Sequence, residues 1–246
     1  MSESVTLACV HHDPDGLLRS QTERVVTALQ RIFPIIVVRT TNETPNSAIA
    51  PLVAAGISIH RAPSCGHLKL GRARREALRL GIETGAHHVL FCDFDRALHW
   101  VEYHPAELAS IAGLILAYDF TVLGRTQRAF DSHPRAQRAT EAIVNHVFAQ
   151  VSGQERDVTA AARGVSCRAA IAILDGCPDE TIGTDVSWTL FLQRTGRYAI
   201  GAIETEGLEY ETADRFPEAV AAAGGIDAWK ARIDAVTNII ISTDHL

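Results

Sequence analysis

The chain has 246 residues, 47% of them hydrophobic and 21% charged, with a formal net charge of -6 at pH 7. This is ordinary globular composition, with enough apolar content for a substantial core and too much for a disordered chain. The acidic balance excludes a general binder of nucleic-acid backbones, which needs a basic face, yet leaves room for a local basic pocket around a phosphorylated ligand.

Val5 to Val10 reads as a first strand, β-branched and apolar, that ends in the polar turn His11-His12-Asp13-Pro14-Asp15-Gly16. Leu17 to Phe33 follows as an amphipathic helix with Val25, Val26, Leu29, Ile32 and Phe33 at helical spacing, stopped by Pro34. Ile35 to Val38 is a second strand, Ser47 to Ala55 a short helix closed by Gly56, and Ile57 to His60 a third strand. Gly71 to Thr84 is strongly helical and ends at Gly85; the apolar run from Val89 then carries into Asp93-Phe94-Asp95. Alternating strands and helices of this kind predict parallel pairing with helices on both faces of a sheet. Farther on, Pro105 to Ala117 looks helical, Phe120 to Gly124 extended and Ala136 to Gln150 helical. Ser166 suits the N-cap of a helix reaching Leu174, and Asp185 to Thr195 is a helix stopped by Gly196. Ala199 to Ile203 is a strand, Pro217 to Ala223 and Ile226 to Val236 are helices, and Asn238 to Ser242 reads as a closing strand. The expected fold is therefore α/β: one Rossmann-like domain over 1–246, its mostly parallel sheet covered by helices, with no linker or repeat to divide it.

The five cysteines, Cys9, Cys65, Cys92, Cys167 and Cys177, are odd in number and lack the spacing of a zinc or redox motif. They are expected as reduced thiols of a cytoplasmic protein. The first residues carry no basic and apolar pattern of a signal peptide. The most apolar window, Leu108 to Tyr118, is too short to span a bilayer. A homodimer is allowed for.

Chemistry is expected first at Asp93 and Asp95. If the strand continues through both, alternation places the two carboxylates on one face, at the carboxyl edge where open α/β sheets bind ligands. Two hard oxygen donors there suit Mg²⁺ or Mn²⁺ carried by substrate phosphates; two solvated acids at a strand end are the plainer alternative. Lys69, Arg72 and Arg75 stand at a predicted helix start, where phosphate is favoured, though a solvated basic face explains them equally well. Arg125 and Arg128, with Ser132 and His133, lie in a predicted loop suited to an anionic acceptor. Trp188 and Trp100 offer a stacking surface for a sugar or base, or simply core packing.

Two blocks carry a resemblance to a known family. One is Gly71-Arg72-Ala73-Arg74-Arg75-Glu76-Ala77-Leu78, then Gly85, then Val89 to Asp95; the other is Cys167-Arg168-Ala169-Ala170, Asp175-Gly176 and Thr184-Asp185-Val186-Ser187-Trp188 with Arg194-Thr195-Gly196. In order and spacing the chain resembles the nucleotide-diphospho-sugar transferases of the GT-A fold, family-2-like glycosyltransferases. The resemblance implies a metal-dependent enzyme that moves a sugar from a nucleotide-sugar donor to a hydroxyl acceptor, anionic in the reading of the arginine loop. Residues 1–100 would then hold the nucleotide and 101–246 the acceptor. It implies Asp93 and Asp95 (the DxD motif) at the metal, His11 and Asp13 at the nucleotide, and Asp185 as general base. Asx-turn chemistry for Asp13 and helix capping for Asp185 fit those residues as well. Thr184 departs from the glutamate often found there. The family's third metal ligand, a histidine, is missing, leaving Glu209, Glu211, Asp244, His245 or water. Phe91 to Leu98 also has the look of a haloacid-dehalogenase-like phosphatase strand, but no downstream lysine precedes an acidic pair as that family requires. A non-catalytic nucleotide or sugar binder of the same fold is the third reading.

Overall fold

The computed structural model describes residues 5–66, 69–210 and 225–243. The first half follows the hydrophobic pattern closely. Strand β1 (Val5–His11) leads to helix α1 (Arg19–Ile32), β2 (Ile35–Thr41), α2 (Asn46–Ala54), β3 (Ser58–Ala62), α3 (Leu70–Glu83) and β4 (His88–Asp93). Then come α4 (Phe94–Tyr103), α5 (Pro105–Leu114), a 3₁₀ turn (Ile115–Ala117), β5 (Phe120–Arg125), α6 (Gln127–Asp131) and α7 (Arg135–Ser152). The chain continues through β6 (Ala162–Ser166), α8 (Cys167–Gly176), α9 (Thr184–Thr195), β7 (Ile200–Thr205) and a last helix, α10 (Ile226–Ile241).

Among the described residues one seven-stranded sheet forms, in the order β3-β2-β1-β4-β6-β5-β7. All neighbouring pairs are parallel except those of β6, which runs antiparallel to both β4 and β5. Alternation along β1 divides the core. Leu7 and Cys9 face the layer of α1, α2, α4 and α5, whereas Ala8 and Val10 face that of α3, α7, α8, α9 and α10. Both layers are built of buried apolar side chains, as the near-continuous apolar runs of parallel strands require.

Three expectations change. The segment Asn238 to Ser242 is no closing strand. It lies mostly within α10, because Ala235, Val236 and Ile239 make a helical stripe buried in the core, and this outweighs the β-branched run of isoleucines. Strand β6, unforeseen in the sequence, occupies the middle of the sheet. Its Gly164 is required there, since a Cβ would stand 2.5 Å from Cβ of Ile115. Finally, β4 stops at Asp93 and α4 begins at Phe94, so Asp95 lies in a helical first turn and strand alternation does not govern it. The expected helix over 217–223 lies outside the described residues.

Candidate active site

From β1 the chain runs to β2 and β3 on one side and returns to β4 on the other. The crevice outside the carboxyl ends of β1 and β4 is thus a topological switch point, the place where open α/β sheets receive ligands. A cavity of about 400 Å³ sits there, lined by His11 and His12 from the end of β1, Arg39 and Thr41 from β2, Ser64 to Gly66, Leu70 and Ala73 of α3, and Asp93 to Asp95.

Asp93 ends β4 in an extended conformation, and Asp95, one residue into α4, accepts the backbone N–H of Arg96 at 2.8 Å. Both carboxylates line the same cavity although they belong to different elements. Among the described residues no group of three or more His, Cys, Asp or Glu side chains is arranged to hold a metal. Two carboxylates without a closed protein cage fit Mg²⁺ or Mn²⁺, which take remaining ligands from substrate phosphates and water; they do not fit a structural zinc. Of the alternative third ligands, Glu209 is engaged by His104 at 2.9 Å, His99 at 3.2 Å and Arg128 at 2.6 Å. Glu211, Asp244 and His245 lie outside the described residues.

The β1 turn divides its two candidates. His11 is buried against Phe94, and its Nδ1 stands 3.0 Å from the Thr40 hydroxyl. Burial lowers its pKa to about 4 despite the opposing charge of Asp13, so the ring is neutral at pH 7. Asp13 is not a wall of the cavity. Its carboxylate accepts the backbone N–H groups of Leu17 and Leu18 at 2.8 and 3.0 Å, fixing the turn into α1. The Asx-type reading therefore describes Asp13, and a nucleotide contact by this carboxylate does not.

Helix α3 sorts its arginines by face. Its first turn packs so closely on the 180–181 segment that a Cβ on Gly71 would meet the Thr181 carbonyl at 2.2 Å, and Arg72 N–H donates to the Glu180 carbonyl at 3.0 Å. Gly71, Arg74, Leu78 and Gly81 share the buried stripe. Lys69 and Arg72 are exposed at the helix start, Arg72 pairing with Glu76 at 3.4 Å. Arg75 does not reach toward phosphate: its guanidinium donates to the carbonyls of Ile173, Leu174 and Cys177 and anchors the end of α8. Arg74, which sequence reasoning passed over, donates to Asp185 at 2.7 Å and to the Thr184 hydroxyl at 3.1 Å, all three side chains being buried. A cationic residue at the i+3 position from a glycine on the apolar stripe was the available signal.

Asp185 and Asp93 line a second, smaller cavity of about 170 Å³, together with Arg74, Arg96, Glu141 and residues of α10. Burial pushes the Asp185 carboxyl above the usual range, against the opposing pull of Arg74 and Arg163. Its side chain makes no cap; the N-cap residue is Gly183, and one carboxylate oxygen accepts from Arg74.

The expected acceptor residues fall elsewhere. Arg125 is buried inside strand β5, bound to Asp157 at 2.7 Å and to Glu141 at 2.7 Å, and so lies inside the protein rather than in a loop. Arg128 is exposed on α6 and pairs with Glu206 and Glu209, strapping the segment after β7. Trp188 is 1% exposed and packs edge-on against Phe91, with ring centroids 5.9 Å apart; it is a core side chain. Among the described residues no helix is long and apolar enough to cross a membrane, and the five cysteines are free thiols.

A mostly parallel sheet with one antiparallel insertion, and paired carboxylates where the strand order reverses, make a GT-A-like fold. Among solved structures, the chain is similar to glucosyl-3-phosphoglycerate synthase from Mycobacterium tuberculosis in complex with UDP, with TM-score 0.62 and 14% identity over 99% of this chain and 81% of that one. The same synthase with Mn²⁺, UDP-glucose and phosphoglyceric acid gives TM-score 0.59 and 13% identity over 99% and 80%. CMP:2-keto-3-deoxy-manno-octonic acid synthetase complexed with CTP gives TM-score 0.52 and 9% identity over 89% and 98%. At these identities the likeness is one of fold. No protein-family model and no curated protein sequence matches the chain.

Proposed function

We propose that this protein is a glycosyltransferase that moves a sugar from a nucleotide-diphospho-sugar to a hydroxyl acceptor with the aid of Mn²⁺ or Mg²⁺. The observation that carries the reading is the meeting of Asp93 and Asp95 at the mouth of the β1/β4 crevice. The similar synthase, on the same fold, is seen with Mn²⁺ and UDP-glucose. In this reading the crevice takes the nucleotide, His11, Arg39 and Thr41 wall it, and Lys69 and Arg72 add positive potential near its phosphates. Asp93 and Asp95 hold the cation, which when bound neutralises charge on the departing diphosphate.

Asp185, lining the inner cavity with Asp93, takes the proton of the acceptor hydroxyl. The acceptor oxygen bonds to the anomeric carbon as the bond from that carbon to the diphosphate oxygen breaks, and its electron pair leaves with the nucleotide diphosphate. A phosphatase of haloacid dehalogenase type is disfavoured. Lys230 is exposed on α10 beside Asp227 at 3.6 Å and lines neither cavity.

The test is calorimetry of UDP with and without Mn²⁺ on the native protein and on Asp95→Ala, paired with transfer from a labelled nucleotide-sugar. Expected is Mn²⁺-dependent UDP binding that falls at least about tenfold in the variant, the scale of one lost charge-assisted contact. Unchanged affinity and unchanged metal dependence would remove Asp95 from the metal, and binding without any sugar transfer would favour a non-catalytic nucleotide binder.

A further inference from the structure

Behind the crevice lies a cluster of buried charges. Arg74, Arg125 and Arg163, each at most 3% exposed, lie among Glu141, Asp157 and Asp185. Arg125 bridges Glu141 and Asp157; Arg74 holds the Asp185 carboxylate, while Arg163 donates to the Asp185 carbonyl at 2.8 Å. Asp93 and Arg96 line the inner cavity beside this cluster.

Helix α10 brings a further cation. Arg232 extends from it to the Gln137 carbonyl oxygen at 2.9 Å and stands 3.5 Å from Glu141, a carboxylate whose closer partner, at 2.7 Å, is Arg125. Its side chain is 40% exposed. Together Arg232 and Gln137 form the partition shared by two cavities: the inner one, of about 170 Å³, with Asp93 and Asp185, and an outer one of about 310 Å³ that opens beside Pro134 and Tyr210. Among the described residues the guanidinium is held by a neutral amide and, at longer range, by a carboxylate that Arg125 binds more closely, and a planar fork suits phosphate or carboxylate.

We infer that Arg232 is the specificity-determining residue for the acceptor, receiving the anionic group of a small phosphorylated or carboxylated hydroxy compound whose hydroxyl lies in the inner cavity facing Asp185. The inference rests on the glycosyl-transfer reading and replaces the arginines of the α6 region as the acceptor's anchor. The inner cavity holds a compound of only a few carbons, and the partition turns its anion toward the outer opening.

The experiment separates the inference from the reading beneath it. Calorimetry measures 3-phosphoglycerate, inorganic phosphate and uncharged glycerol against the native chain, Arg232→Met and Arg232→Lys, and measures UDP with Mn²⁺ on the same three proteins. Expected is binding of 3-phosphoglycerate without binding of glycerol, weakened about tenfold or more in Arg232→Met and partly kept in Arg232→Lys, the loss of a hydrogen-bonded charged contact. UDP affinity is unchanged throughout. Equal anion affinity in Arg232→Met, or no anion binding to a native chain that binds UDP, overturns the inference alone. Arg232-dependent anion binding in a chain that ignores UDP and Mn²⁺ supports an anion site and overturns glycosyl transfer. A native chain that binds neither overturns both.

Discussion

Replacing Arg74 by Met removes one half of a buried ion pair and leaves the other half stranded. The Arg74–Asp185 contact is 2.7 Å, with side chains 4% and 8% exposed, and the nearby Arg163 donates to the Asp185 carbonyl rather than to its carboxylate. Deleting one partner of such a pair costs about 3–5 kcal/mol, since a buried charge loses its compensation. At roughly 2–4 °C of Tm per kcal/mol for a chain of this size, Arg74→Met is expected to melt roughly 6–20 °C lower near pH 8. The pH dependence carries a sign. Burial already holds the Asp185 carboxyl above its usual range, and Arg74 is the largest influence pulling it down, so the variant raises it further. An acid with a folded pKa above the unfolded value of about 3.9 binds more protons when folded. The penalty is therefore full above the folded pKa and fades as pH falls toward the unfolded one. Calorimetric melts of native and variant protein at pH 8 and pH 5 should show a smaller deficit at pH 5. Adding Asp185→Leu should restore much of the loss, because an apolar replacement of a whole buried pair is often neutral or better. A deficit under about 2 °C at pH 8, or one equal at both pH values, would refute the claim that Arg74 compensates the buried charge of Asp185.

Trp188→Ala should lower stability by about 3–5 kcal/mol, the usual cost of emptying a buried aromatic site, read as a chemical-denaturation midpoint; a change confined to acceptor affinity would return Trp188 to the site. Cys65 lines the β1/β4 crevice whereas Cys9 and Cys92 are buried with thiols pushed well up by desolvation. Mass spectrometry after maleimide treatment should thus find Cys65 and Cys167 labelled, with UDP and Mn²⁺ protecting Cys65 alone. Glu209, held to about 2 against burial by His104, Arg128 and His99, adds stability above its unfolded pKa that is lost as pH falls from about 4.5 toward 2. Glu209→Gln should lower stability slightly at pH 7, by no more than about 1 kcal/mol for a partly solvated pair, and the gap between the two proteins' melting temperatures should close in acid.

The first half of the sheet was legible because each parallel strand there is a short apolar run bounded by punctuation, and burial on both faces demands that pattern. Strand β6 was not, for it reads Ala-Arg-Gly-Val-Ser, and its place is set by a close approach at Gly164 and by an arginine that packs among carbonyls. No local periodicity encodes such long-range terms. The same division holds at the site. Asp93 and Asp95 share a cavity as expected, yet through a strand end and a helix start rather than through alternation. Asp13, Arg75 and Arg125 were singled out as charges in polar segments, and each is consumed by backbone groups or buried partners that only the fold brings near.

That pattern bears on where function lies in this chain. Charged side chains near the carboxyl edge fall into two sets. Asp13, Arg74, Arg75, Arg125 and Arg163 have partners that hold the turn, the helices and β6 in place. Asp93, Asp95 and Arg232 line cavities between elements that the first set has positioned, and Arg74 lines the inner one with Asp93 and Arg232. Arg39 spans both, tied to Glu76 at 2.9 Å while walling the crevice. A buried ionic scaffold of this kind costs desolvation that apolar packing would avoid. Its return is orientation: it holds Asp185 on the wall of the inner cavity that Asp93, at the end of β4, also lines.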